Sequence, residues 1–344
     1  HTTANGFTYQ QLASTASFKA GDLSNIALYG NDMTGWDLSG LNLTDAWMSH
    51  STMAGAHLGN ATFFSATLMY TDLTGANLSG ADLSEATLQH ADAPNADFSG
   101  ANLKDAVLQQ MQVRYADFSG ADLTGVTFKQ SNLTGANLTG TNLTNTRFLN
   151  ATLTNTDFTD ATIISASVVG ADLTDAVIDQ ASVGNLSQQQ LMSTANYKAQ
   201  DLSTVRIEYA DLAGLDLADF NLRGMSVYQS DLTNADLSRA DLTGAGLGRS
   251  ILDGVDFTDA MIAGAFLGYS TDNGFTFQQL ASTASYKSGD LSGVRLHAND
   301  LSGWDLSDLD LSEAALGSSG LSVPATNLTD ADLSRSNLTG VNFI

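Results

Sequence analysis

The sequence predicts an all-β solenoid interrupted by short α-helical inserts, and three observations lead there. An apolar residue recurs at every fifth position, the residues around it keep a fixed order of types, and the register breaks where nearly the same helix-forming segment reappears.

The apolar residues run Leu23, Leu28, Met33, Leu38, Leu43, Met48, Met53, Leu58, Phe63, Leu68 and on to Val183, 33 consecutive units without a slip. A small residue usually stands two positions earlier, as in Ala56, Ala61, Ala66, Ala76 and Ala81. Asp or Asn lies between the two, and Ser or Thr with Gly follows. A helix of period 3.6 or a flat strand of period 2 would scatter this pattern over buried and exposed faces. A chain that turns a corner every five residues keeps it constant. Leu or Phe then fills the interior, Ala fits a close wall, Asp or Asn points outward, and Ser, Thr and Gly serve the bend.

Units such as Ala76-Asn77-Leu78-Ser79-Gly80 and Ala121-Asp122-Leu123-Thr124-Gly125 give the pattern A(D/N)LxG, which resembles the pentapeptide-repeat family over nearly the whole chain. The resemblance implies a right-handed quadrilateral β-helix of about 20 residues per coil. About 14 coils at about 4.8 Å spacing would span about 70 Å.

The helix-forming segment reads GFTYQQLASTASFKAGDLS from Gly6 and GFTFQQLASTASYKSGDLS from Gly274, with a weaker copy from Leu186 to Ser203. Thr8 with Gln11, Ser187 with Gln190 and Thr276 with Gln279 make capping boxes. Phe7 with Leu12, Leu186 with Leu191 and Phe275 with Leu280 make staples. Each copy is expected to form one helix of about three turns, with Lys19, Lys198 or Lys287 near its end, where a cation suits the dipole. Just beyond, the small site becomes large at Trp36, Leu215 and Trp304, then at Leu41, Phe220 and Leu309, read as packing that fits the coil to its helix. The segments divide the chain into 1–185, 186–270 and 271–344. A slip of two residues near Pro324 predicts a bulge or loop.

With 37 acidic and 13 basic side chains the formal charge is -24, which disfavours direct nucleic-acid binding. There is no Cys, hence no disulfide or thiolate metal site, and no apolar run of about 18 residues to span a membrane. His50, His57, His90 and His297 fall at outward or corner positions and are read as solvated surface; His50 and His90 lie two coils apart, too far to share a metal. A chain opening on His1 rather than Met is expected to have been processed, and His1 is read as a remnant rather than a copper ligand. No nucleophile relay or phosphate loop appears, so no enzyme and no cofactor are expected. There is one metal expectation: Asn77, Asp97, Asp117, Asn137 and Asp157 are spaced by 20 and should stack, so calcium between Asp97 and Asp117 would relieve carboxylate repulsion. No exposed aromatic or basic patch stands out.

The sequence still reads as repeat from Ser336 to Ile344, so an uncapped coil end is expected there. Thr3-Ala4-Asn5-Gly6-Phe7-Thr8 resembles Thr271-Asp272-Asn273-Gly274-Phe275-Thr276, which follows directly on a coil. A neighbouring copy's Leu338, Val341, Phe343 and Ile344 could therefore meet His1, Thr3, Asn5 and Phe7, giving a heterologous junction that propagates as a filament. The leading expectation is a non-enzymatic extracellular or cell-surface structural protein whose partner is itself, stacked head to tail. The alternatives are an acidic DNA mimic that occupies a type II topoisomerase, as some members of the family do, and an adhesion or interaction scaffold. The helix segments also resemble the opening segments of some secreted bacterial members, which places the expected location outside the cell.

Overall fold

In the computed structural model, which describes residues 7–163, 165–184, 186–317 and 325–343, the five-residue period is a corner period. Among the described residues every corner has a residue in left-handed backbone, from Asn25, Gly30 and Gly35 through Asp45 and His50 to Gly170 and Asp175. Gly is at ease there and Asn or Asp tolerates it, which accounts for their frequency at the fifth position. The turn is closed from the central residue: the N–H of Ala46 donates to the carbonyl of Leu43 at 3.0 Å.

Between corners each side contributes one parallel rung to the coil above. Four columns start at Asp22, Ala27, Asp32 and Asp37, and each steps by 20, as in Asp22 to Asn42 to Thr62 to Asp82. Four columns with a step of 20 make a four-sided coil. Two bonds form a rung: Leu23 donates to the Asn42 carbonyl, and Asn42 donates to the Gly21 carbonyl, both at 2.8 Å.

The central residues stack inside the coil. Leu43, Phe63, Leu83 and Leu103 are fully buried, and so are Phe98 and Phe118, whose rings stack at 4.8 Å. Where Ser or Thr replaces the small Ala, its buried hydroxyl finds a carbonyl in the neighbouring coil, as from Ser131 to Leu108 at 2.6 Å and from Thr146 to Leu123 at 2.8 Å. Among the described residues no buried side-chain polar atom lacks a partner.

Two compact units result: His1–Ala181 with Ser193–Ala195, and Ser182–Met192 with Asn196–Ile344. Extended pairing beyond single rungs is sparse. Thr162–Ile163 (β1) lies in the first unit, and Ser182–Gly184 (β2), Arg206–Glu208 (β3) and Ser226–Tyr228 (β4) run parallel in the second.

The helical segments differ from expectation in one respect. Each is a pair of short helices: Tyr9–Ser14 (α1) and Ala16–Lys19 (α2), Gln188–Ser193 (α3) and Ala195–Lys198 (α4), Phe277–Ser282 (α5) and Ala284–Ser288 (α6). The break falls on a threonine. Thr15 is extended at φ -70° and ψ 154°, closes α1 through the Leu12 carbonyl, and accepts the Phe18 N–H to start α2. Thr283 does the same between α5 and α6. A hydroxyl that can satisfy the next helix's free N–H competes with continuing the first helix.

The enlarged residues pack on these helices. Trp36 lies 6.2 Å from Phe7 and 5.6 Å from Tyr9, and Trp304 lies 6.0 Å from Phe275 and 5.7 Å from Phe277. Near the chain's end the rung spacing lengthens from 20 to 27, as from Asp300 to Asn327. The loop expected near Pro324 lies outside the described residues.

Candidate functional site

The two nearly identical helical segments have different surroundings. In the second unit, α5 and α6 close over the preceding coil. Gln279 Nε2 donates to the carbonyls of Leu252 at 2.9 Å and Val255 at 3.0 Å. The Ser282 carbonyl accepts from Asp259, the Ala284 N–H donates to Ala260, and Ser285 Oγ accepts from the Ile262 N–H, each at 2.9 Å. Lys287 Nζ pairs with Asp259 at 2.7 Å, and the Phe275 ring meets Phe257 edge to face. Phe275, Thr283 and Ser285 are consequently buried.

In the first unit the same face of α1 and α2 stands open. Gln11, Ser14, Thr15, Ala16 and Ser17 are exposed and Phe7 is half-buried. Among the described residues the Gln11 side chain keeps only its capping bonds with Thr8. Of the residues expected at this junction, His1, Thr3 and Asn5 lie outside the described residues.

A matching coil surface lies at 325–343 in the second unit. Leu328 and Leu333 are half-buried, and Leu338 and Phe343 are 38% and 47% exposed, although central residues of interior coils are closed to solvent. Val341 is half-buried and Ile344 lies outside the described residues.

The acidic columns have a structural occupation. Asp22, Asp97 and Asp117 each accept, through Oδ1, the backbone N–H two residues on, at 2.9–3.0 Å. Asn137 Nδ2 donates to Asp117 Oδ1, and Asn102 Nδ2 donates to Asp82 Oδ1, across adjacent coils at 3.0 Å. The outward carboxylate thus holds its own corner. In Asp37 the Ser39 hydroxyl and then its N–H hold the carboxyl below the ordinary 3.8. Asp97 and Asp117 share a rung, but among the described residues no group of three or more His, Asp or Glu side chains is placed to hold a metal.

Contrary to the sequence reading, an aromatic surface does stand out. Tyr29, Trp47 and Tyr70 are 62%, 65% and 48% exposed in the first unit. Their neighbours His50 and His90 sit with Tyr70 at left-handed corners two rungs apart in all. The rings form one row: Tyr29 is tilted against His50 at 5.2 Å, and His50, Tyr70 and His90 stack at 4.8 Å and 4.6 Å. Between this row and Trp47 runs a groove of about 270 Å³ floored by Ser49, Thr67 and Met69. The spacing of 20 from His50 to Tyr70 to His90 was the signal in sequence. His297 is not plain surface either, since it is half-buried against Phe266 at 5.2 Å, and burial followed by Arg295 pushes its pKa down.

Among the described residues no helix is long and apolar enough to cross a membrane. A model of the "Pentapeptide repeat region" matches residues 61–138, and one of "Pentapeptide repeats (8 copies)" matches 141–180, 208–247, 227–259 and 325–344. No curated protein matches the sequence. Similar solved structures include HetL, involved in heterocyst differentiation regulation in the cyanobacterium Nostoc sp. Strain PCC 7120. It is 26% identical over 72% of this chain and 94% of its own, with a TM-score of 0.35. A trypsin-treated QnrB1, a plasmid-mediated fluoroquinolone resistance protein, is 18% identical over 67% and 91%, with a TM-score of 0.32. A protein of the Arabidopsis thaliana thylakoid lumen is 36% identical over 33% and 68%, with a TM-score of 0.16.

Proposed function

This chain belongs to the pentapeptide repeat family, and from that premise we propose that it is a non-enzymatic structural protein, outside the cell or at its surface, that stacks end to end into a β-helical filament. One observation carries the reading: α5 and α6 bury a coil, whereas α1 and α2, almost identical in sequence, hold the same groups open. A second copy's coil 325–343 is the occupant. By rung register its Leu328, Leu333, Leu338 and Phe343 stand where Leu252, Phe257, Ile262 and Leu267 stand under the interior pair. Gln11 would then donate to the carbonyls of Leu328 and Ala331, as Gln279 does to Leu252 and Val255. Burying exposed apolar side chains at about 25 cal/mol per Å² supplies the drive.

The copy departs from the interior pattern at one place. Lys287 meets Asp259, whereas Lys19 would meet Arg335, which is itself paired with Asp308. The junction is therefore expected to be weaker than the interior one and to respond to salt.

Negative-stain electron microscopy over a concentration series tests the proposal, with Phe343→Asp as the paired variant. Filaments from the parent chain and single particles from the variant are expected. Single particles from the parent at every concentration, or filaments unaffected by Phe343→Asp, would overturn it.

A further inference from the structure

We propose that the groove between Trp47 and the Tyr29, His50 and Tyr70 row binds a quaternary ammonium group of a small soluble molecule. The proposal is independent of end stacking, since it concerns a side of the first unit's coils.

Three features converge. First, the groove is walled by π-systems: Trp47 on one side, Tyr29, His50 and Tyr70 on the other, with Met69 in the floor, about 270 Å³ in all. His50 and His90 cover the two faces of Tyr70, but among the described residues no other ring packs on Trp47, whose electron-rich face is left to attract an organic cation through its quadrupole. Second, the surrounding field has one sign. Between Lys19 and Lys104 the chain carries nine carboxylates, from Asp22 to Asp97, and no Lys or Arg. Cations are drawn to such a surface and anions are turned away.

Third, the lining selects among cations. Ser49 Oγ is already bound to the Met69 N–H and the Thr67 carbonyl. Little is left in the groove to replace the hydrogen bonds that a Lys ammonium or Arg guanidinium would lose on leaving water. A quaternary ammonium has no N–H to satisfy and loses only diffuse hydration. Its methyl groups also match an apolar floor.

The full chain is titrated with choline and with tetramethylammonium at constant ionic strength, following the indole N–H resonance of Trp47, assigned by its loss in Trp47→Ala. The two controls are 3,3-dimethylbutan-1-ol, which has the shape without the charge, and methylammonium, which has the charge with N–H groups. A saturable shift is expected for both quaternary ions, about tenfold tighter than for either control. Tyr70→Asn keeps a residue tolerant of the left-handed corner, removes one wall of the groove and should weaken binding about fivefold. Equal binding of the neutral alcohol would reduce the site to an apolar groove and overturn the proposal. So would equal binding of methylammonium, which would mean general attraction to acid. The absence of saturation, or co-sedimentation with phosphatidylcholine vesicles without any shift from choline, would overturn it as well.

Discussion

Asn137 donates from Nδ2 to Asp117 Oδ1 at 3.0 Å across neighbouring coils, while the same oxygen accepts the backbone N–H of Ser119 at 2.9 Å. An amide between carboxylates thus does what a cation would otherwise do, cancelling part of their repulsion. Replacing it by acid, Asn137→Asp, should lower stability at pH 7 by about 0.5–1.5 kcal/mol, measured by thermal or urea unfolding. Calcium should stabilise the parent no more than magnesium at equal ionic strength, and a calcium-specific rise in melting temperature that Asp117→Asn abolishes would instead point to an ion between Asp97 and Asp117.

Corner backbone sets a second expectation. Gly120 has φ +65°, and a Cβ there would meet nothing within 4 Å. The cost of substitution is therefore conformational. Gly120→Asn should change stability by only a few tenths of a kcal/mol, whereas Gly120→Val should cost about 1–2 kcal/mol. Equal effects in urea unfolding would show that side-chain bulk, not the left-handed backbone, is limiting.

The paired glutamines separate stability from assembly. Gln279→Ala loses the capping bond and both carbonyl partners and should destabilise the chain by roughly 1–3 kcal/mol. Gln11→Ala loses only the cap and should cost about 0.5–1 kcal/mol while weakening end stacking. Sedimentation of parent and variant at matched concentrations reads the second effect.

The Lys19 and Arg335 mismatch gives the opposite sign. Lys19→Glu turns a repulsion into an ion pair in a stacked junction, so the concentration needed for filaments should fall about two- to fivefold. A rise would mean that the coil end approaches in another register.

Acid should weaken the fold. The carboxyls of Asp32, Asp37 and Asp256 are held below 3.8, first by the hydroxyl and then by the N–H two residues on. A group whose folded pKa is depressed contributes stability above its unfolded value and loses it as pH falls through the folded value. The melting temperature should accordingly hold between pH 7 and about 4 and drop below that. A steady rise on acidification would mean that relief of the net charge dominates.

Period and residue order made the coil legible in sequence, because a corner every five residues leaves no other arrangement of Leu, Ala and Asp. What the outward Asp does was not legible. Its side chain turns back to the N–H two residues on, a local competition that composition does not display. The break at Thr15 was visible in principle as a second cap three residues before Phe18, hidden inside a run that also suits one helix. The Tyr29 end of the aromatic row was harder still. Tyr29 lies 21 residues from His50, one off the column, and only the ring geometry brings the two together.

The constant step of 20 between rungs has a genetic corollary. Removing a single five-residue unit from within a coil would rotate everything beyond it by a quarter turn, so that at that step Asp columns would meet Thr and Trp columns and the Asn donors pairing across it would lose their acceptors. Removing four units would merely shorten the molecule by one storey, with all corners still in line. Viable length variants of this chain should therefore differ by whole storeys, while the helical segments and the lengthened step from Asp300 to Asn327 mark where odd lengths have been absorbed.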